Sequence, residues 1–121
     1  MYTIGEVSEK VGLKAHTIRY YEKEGLIFNI NKNNSGVRVF TDYDISWIEM
    51  ICCLKNTGMS IDNIKHIVEL IKLGDVSIEN RKEIFLKHKE ELQKKMDELS
   101  IYMEKIDAKI NYYETLESNK N

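Results

Sequence analysis

The chain has few cysteines: two, side by side at Cys52 and Cys53. Adjacent cysteines make no disulfide framework, so a reducing compartment is the expected setting. No CxxC pair exists, and neighbours on a helix point about 100° apart, a poor arrangement for holding one tetrahedral ion. No metal and no cofactor are therefore expected. Histidines are also scarce. His16, His66 and His88 fall on three separate predicted helices, and no two are spaced four apart on a helix face. A glycine-rich phosphate loop, a serine–histidine pairing and carboxylates spaced for acid–base work are likewise missing. No catalytic residue can be nominated, and the expectation is a protein that is not an enzyme. No apolar run approaches the ~20 residues that span a bilayer, so no membrane partner is expected. The first helix starts at the N-terminus, which leaves no room for a secretory signal and predicts a cytoplasmic location.

The chain is also short of net charge, at −2 over 121 residues. Taken alone, that balance argues against a nucleic-acid partner. Its distribution argues the other way. From residue 10 to 38 there are six basic residues (Lys10, Lys14, Arg19, Lys23, Lys32, Arg38) against two acidic ones, Glu22 and Glu24.

This basic stretch reads as two short helices joined by a tight turn. Thr3 and Glu6 have capping-box spacing, and Ile4, Val7 and Val11 follow as one apolar stripe. Gly12 is suited to end that helix in a left-handed conformation. A second helix is predicted over residues 14–24, stopping at Gly25, with Ile18 and Tyr21 facing inward. Lys14, His16, Thr17, Arg19, Tyr20 and Lys23 are left facing outward. Hydroxyl, basic and aromatic side chains along the second of two such helices suit the DNA major groove.

Residues 28–35 are Asn-rich and turn-forming, and residues 37–40 alternate like a short strand, which together make a β-ribbon wing. Arg38 projects opposite Val37 and Val39, and a phosphate contact is its natural role. A surface ion pair with Asp42 or Asp44 is the alternative. Thr41 and Asp44 open a third helix that is apolar on most sides (Ile45, Trp47, Ile48, Met50, Ile51, Cys52, Cys53, Leu54), so it is expected to be central and buried. Gly58 ends it. Ser60 caps a fourth helix, with Ile61, Ile64, Ile67, Val68 and Ile71 in period, ending at Gly74.

The last third has a different pattern. Phe85, Leu92, Leu99, Ile106 and Tyr113 recur every seven residues, with Met96, Met103 and Ile110 interleaved. This heptad seam predicts one coiled-coil helix over residues 80–117, roughly 55 Å long. Beyond the seam its charges balance, nine basic and nine acidic between Arg81 and Asn121. The domain before it is too small to cover such a seam, so a partner helix, and hence a homodimer, is expected. Leu92, Met96, Leu99, Met103, Ile106, Ile110 and Tyr113 would form the interface. Lys89 interrupts the pattern, where it either fixes register or marks the start of the seam.

The run Thr17-Ile18-Arg19-Tyr20-Tyr21-Glu22, followed by Gly25-Leu26-Ile27, resembles the recognition helix of the MerR family of bacterial transcription regulators. Ser35-Gly36-Val37-Arg38-Val39-Phe40-Thr41 resembles that family's wing, with Phe40 where a tyrosine is common. Asp44-Ile45 through Gly58-Met59-Ser60-Ile61 resembles the two helices behind the wing. The chain lacks proline altogether, including after Ile27, where relatives often carry one. The resemblance implies a mainly α fold: a winged helix-turn-helix DNA-binding domain at 1–76, an antiparallel dimerisation helix at 77–117 and a disordered tail at 118–121. It implies contacts to double-stranded promoter DNA from Thr3, Lys14, His16, Thr17, Arg19, Tyr20, Lys23, Arg38 and Ser60. It further implies that the dimer bends and untwists promoter DNA for RNA polymerase.

Residues 44–61, with Ile106-Asp107, Lys109-Ile110 and Tyr112-Tyr113-Glu114, resemble more narrowly the AdhR/NmlR subgroup, associated with aldehyde and nitrosative stress. That likeness makes Cys53 the candidate sensor thiol, with buried packing as the alternative; Cys52 is expected to be a small buried hydrophobe. Thiolate metal ligands of metal-sensing relatives lie beyond Cys53, where this chain has no cysteine, and no ligand-binding domain is expected after the long helix. Two other functions fit the same features: a constitutive repressor or architectural protein, and a coiled-coil adaptor that does not bind DNA.

Overall fold

The computed structural model describes residues 1–120. Its elements run α1 (Ile4–Val11), α2 (Ala15–Lys23), β1 (Asn31–Lys32), β2 (Arg38–Val39), α3 (Asp42–Asn56), α4 (Ile61–Lys72), a 3-10 turn (Gly74–Ser77) and α5 (Ile78–Ser118). Two compact units divide the chain, one of residues 1–82 and one beginning at Glu83.

In the first unit, local side-chain chemistry starts each helix. Thr3 Oγ1 accepts from the Glu6 backbone N–H at 3.2 Å, and the Thr3 N–H donates back to the Glu6 carboxylate at 3.0 Å. That returned bond holds the Glu6 carboxyl below the usual carboxylate range. Thr41 and Asp44 form the same box at α3, and Ser60 caps α4. Gly12, at φ 72°, closes α1 in the left-handed region that a side chain would strain.

α1 packs on α2 and α3, and α3 packs on α4. The core between them holds Val7, Ile18, Leu26, Ile48, Ile51 and Ile64, each at most 1% exposed. Removing such a side chain from water stabilises the fold by roughly 1.5–3 kcal/mol. Trp47 ties α3 to the segment leaving α2, its indole N–H donating to the Leu26 carbonyl at 2.8 Å.

β1 and β2 pair antiparallel, Asn31 opposite Val39 and Lys32 opposite Arg38. Asn33 builds the turn between them, its side-chain oxygen accepting from the N–H groups of Ser35 and Val37. Two 2.8 Å backbone bonds between Tyr2 and Phe40 fasten the ribbon's base to the N-terminus. Phe40 is buried beneath it.

Two expectations need correcting. α3 is not buried on most sides. Ile45, Ile48, Ile51 and Leu54 form its core face, Trp47 and Cys52 are half-buried, and Met50 and Cys53 are exposed. Only residues three or four apart share one face, so consecutive apolar residues cannot all point inward. As expected, Gly74 closes α4: the helix runs to Lys72, Leu73 caps it and Gly74 follows in the left-handed region at φ 82°. Gly74 also opens the 3-10 turn, where the buried Ser77 hydroxyl donates to the Leu70 carbonyl and Arg81 donates to the Gly74 carbonyl at 3.0 Å. The expected loose tail is helical through Ser118, and the Asn119 and Lys120 N–H groups donate to the carbonyls of Thr115 and Glu117. Asn121 lies outside the described residues.

α5 spans 41 residues, two longer than expected at its start and one at its end. In the second unit its seam is bare. Met96, Leu99, Met103, Ile106, Ile110 and Tyr113 are each 48–64% exposed, and Leu92 is half-buried.

Candidate nucleic-acid interface

The spacing of α2 separates its two faces. Ile18 and Tyr21 point into the core, while His16, Arg19, Tyr20 and Lys23 are exposed and Thr17 is half-buried. Lys14 is the N-cap residue, exposed and without a side-chain capping bond, so its ammonium is available at the start of the helix. The structure therefore brings these six residues to one exposed helix face and its entry.

Thr3 and Ser60 are both exposed and both act as caps. Each hydroxyl uses lone pairs toward a backbone N–H, which leaves its proton for an outside acceptor such as a phosphate oxygen.

Arg38 extends from β2 toward α2. Its Nε lies 2.6 Å from Glu22 Oε1, with the two side chains 45% and 26% exposed. The alternative ion partners, Asp42 and Asp44, do not take this arginine; the Asp44 carboxylate is bonded to the Thr41 N–H. Arg19, Glu22, Lys23 and Arg38 line a groove of about 290 Å³ between α2 and the wing. A second hollow is lined by Ile4, Arg19, Gly36, Val37 and Arg38. Three cations against one carboxylate make the groove positive, which suits a phosphodiester.

α3 reaches the same helix from behind. Lys55 Nζ sits 5.3 Å from the centre of the Tyr21 ring. Two residues earlier, Cys53 is exposed and its carbonyl accepts from the Thr57 hydroxyl at 2.7 Å. Burial pushes the half-buried Cys52 thiol up, with Glu49 adding to the effect. Among the described residues, no cluster of three or more His, Cys, Asp or Glu could hold a metal, and no helix is long and apolar enough to cross a membrane.

Residues 2–71 match the family model described as MerR HTH family regulatory protein, and residues 45–109 match MerR, DNA binding. The chain belongs to the MerR family. It is a DNA-binding transcriptional regulator of that family, mainly helical, with a long C-terminal helix. It is 38% identical to an uncharacterized HTH-type transcriptional regulator of Haemophilus influenzae, over 93% of this chain and 84% of that one. Against the regulator AdhR of Bacillus subtilis it is 39% identical, over 74% of this chain and 64% of AdhR. The solved structure of HiNmlR, a MerR family regulator lacking the sensor domain and bound to promoter DNA, aligns with a TM-score of 0.85. Identity there is 37%, covering 97% of this chain and 93% of HiNmlR.

Sequence reasoning missed two contacts, Arg38 with Glu22 and Lys55 with Tyr21. Both join different elements, and no spacing rule along the chain signals either.

Proposed function

We propose that this MerR family member acts as a homodimer, its two α5 helices antiparallel, and places each α2 in the major groove of a pseudo-palindromic promoter half-site. Arg19 and Thr17 make base or adjacent phosphate contacts. Lys14, His16, Tyr20, Lys23 and Arg38 grip the backbone with Thr3 and Ser60. DNA-binding residues occupy 1–76 and the dimer helix 77–117. The bound dimer bends and untwists the promoter, which brings the elements read by RNA polymerase into register.

One observation carries this reading: the continuous apolar seam of α5, about half exposed along its length in a single chain. Soluble proteins rarely leave so long an apolar stripe in water, and a second copy of the same heptads covers it. HiNmlR, which binds promoter DNA without a sensor domain, is similar enough in length and fold to support the same arrangement here.

The signal enters at Cys53. A sensor thiol must be reachable, and Cys53 is exposed on α3, two residues from the lysine that covers the recognition-helix Tyr21 ring. An electrophile that alkylates the Cys53 sulfur adds bulk to α3 and repacks this helix, which also holds Lys55 against the Tyr21 ring. The protein works in the cytoplasm, where such thiols stay reduced.

The test is in vitro transcription from DNA upstream of the protein's own gene, with reduced protein, with and without a small aldehyde. Aldehyde-dependent transcription that disappears in Cys53→Ser is expected. Full induction retained in Cys53→Ser sinks the thiol switch.

A further inference from the structure

We propose that Glu22 is a positioning residue for DNA: it holds Arg38 of the wing against α2 so that the guanidinium's terminal nitrogens, with Arg19 and Lys23, form one phosphate seat. The inference rests on the DNA-binding role of this face. A carboxylate on a DNA-facing helix is otherwise a liability, because it repels the backbone. Glu22 lies in the most basic part of the chain, and its contact explains its presence there.

The carboxylate takes Arg38 through Nε alone, at 2.6 Å. Among the described residues the hydrogen bond through Nε is the one that Arg38 makes, and the two terminal nitrogens donate none. A guanidinium carries five N–H donors in a fixed plane, so using Nε orients the remaining ones without consuming them. Arg38 lines both hollows, and Arg19 lines both with it. β2 is only two residues long and lies on a two-stranded ribbon. Such a ribbon is marginal by itself, so a side-chain tie to α2 fixes the distance between wing and recognition helix. A freely rotating arginine would lose more entropy on meeting a phosphate. Glu22 thus acts in the free protein, by limiting where Arg38 can be.

The experiment is fluorescence-anisotropy titration of a labelled mixed-sequence duplex at low salt, because phosphate contacts do not depend on sequence. The proteins are the parent, E22A, E22Q, R38A and the double variant E22A/R38A, each with its thermal melt recorded. A glutamine oxygen still accepts from Nε, so E22Q is expected to bind at least as tightly as the parent, having lost the repulsive charge. E22A should bind roughly fivefold more weakly, the scale of an exposed ion pair. Its salt slope should fall as the slope of R38A does. In the R38A background the alanine at 22 should no longer weaken binding, and loss of the repulsive charge should tighten it slightly. The proposal is overturned if E22A binds like the parent, if E22Q is as weak as E22A, or if the cost of E22A persists without Arg38. Failure of the parent to bind the duplex would remove the DNA-binding role itself, and the inference with it.

Discussion

Arg19 stands next to Ile18, which is 1% exposed, yet its own side chain faces outward between two grooves. A helix turns about 100° per residue, so this contrast is built into the spacing of the sequence. Replacing Arg19 by alanine is expected to weaken DNA binding by about 1–3 kcal/mol and relax specificity at one position if it pairs with a guanine edge. A titration over a set of half-site variants checks this; unchanged affinity would show that the recognition face was misassigned. The two thiols differ as sharply. Burial pushes the Cys52 thiol up, whereas Cys53 is exposed. Iodoacetamide at neutral pH, followed by peptide mass spectrometry, should label Cys53 first; preferential labelling of Cys52 would contradict the proposed sensor position. The apolar run around the two adjacent cysteines does not show which faces outward; the family likeness alone singled out Cys53.

At the scale of elements, much was legible where chemistry is local. The Thr3–Glu6 and Thr41–Asp44 spacings gave the starts of α1 and α3 because a capping box closes within one helical turn. Thr41→Ala should cost about 1 kcal/mol by denaturant melt, the usual loss for a threonine cap. The wing could be recognised from its turn and alternation, but its anchors could not. Glu22 lies 16 residues from Arg38, and Lys55 still farther from Tyr21, so only the packed fold brings them together. The wing's base depends on Phe40, 1% exposed and bonded through its backbone to Tyr2. Phe40→Ala is expected to destabilise the fold by about 3–5 kcal/mol. Its thermal melt would show this, and a shift near zero would mean that the ribbon holds without its aromatic anchor. The far end of α4 was legible in Gly74, but the 3-10 turn after it was not, because this glycine serves two roles. A left-handed glycine commonly follows a helix, and here it also begins the 3-10 turn that feeds α5.

For the whole molecule, the heptad period was the clearest signal, since a helix longer than its supporting domain must find a partner or expose its seam. Every residue from Gln93 to Lys120 is exposed, so the seam from Met96 to Tyr113 is marked by its apolar side chains and not by its exposure. What the period cannot supply is partner identity, for which balanced charge outside the seam and family membership are the supports. Leu99→Lys places a charge in the middle of the seam. Sedimentation should then show monomer at concentrations where the parent is dimeric, with promoter affinity lost in parallel. Monomeric parent protein would remove the dimer from the account. The low net charge of −2 also has a consequence at this scale. Affinity must come from the local basic face, so binding should still fall steeply with salt despite the acidic balance elsewhere.

The most direct test of the central claim is footprinting of the parent protein on DNA upstream of its own gene at physiological salt. The account predicts a protected pseudo-palindrome whose two halves lie on one face of the duplex, with altered cleavage between them where the DNA is distorted. Uniform, sequence-independent protection, or protection of one half-site alone, would contradict a dimer that reads two half-sites through paired recognition helices.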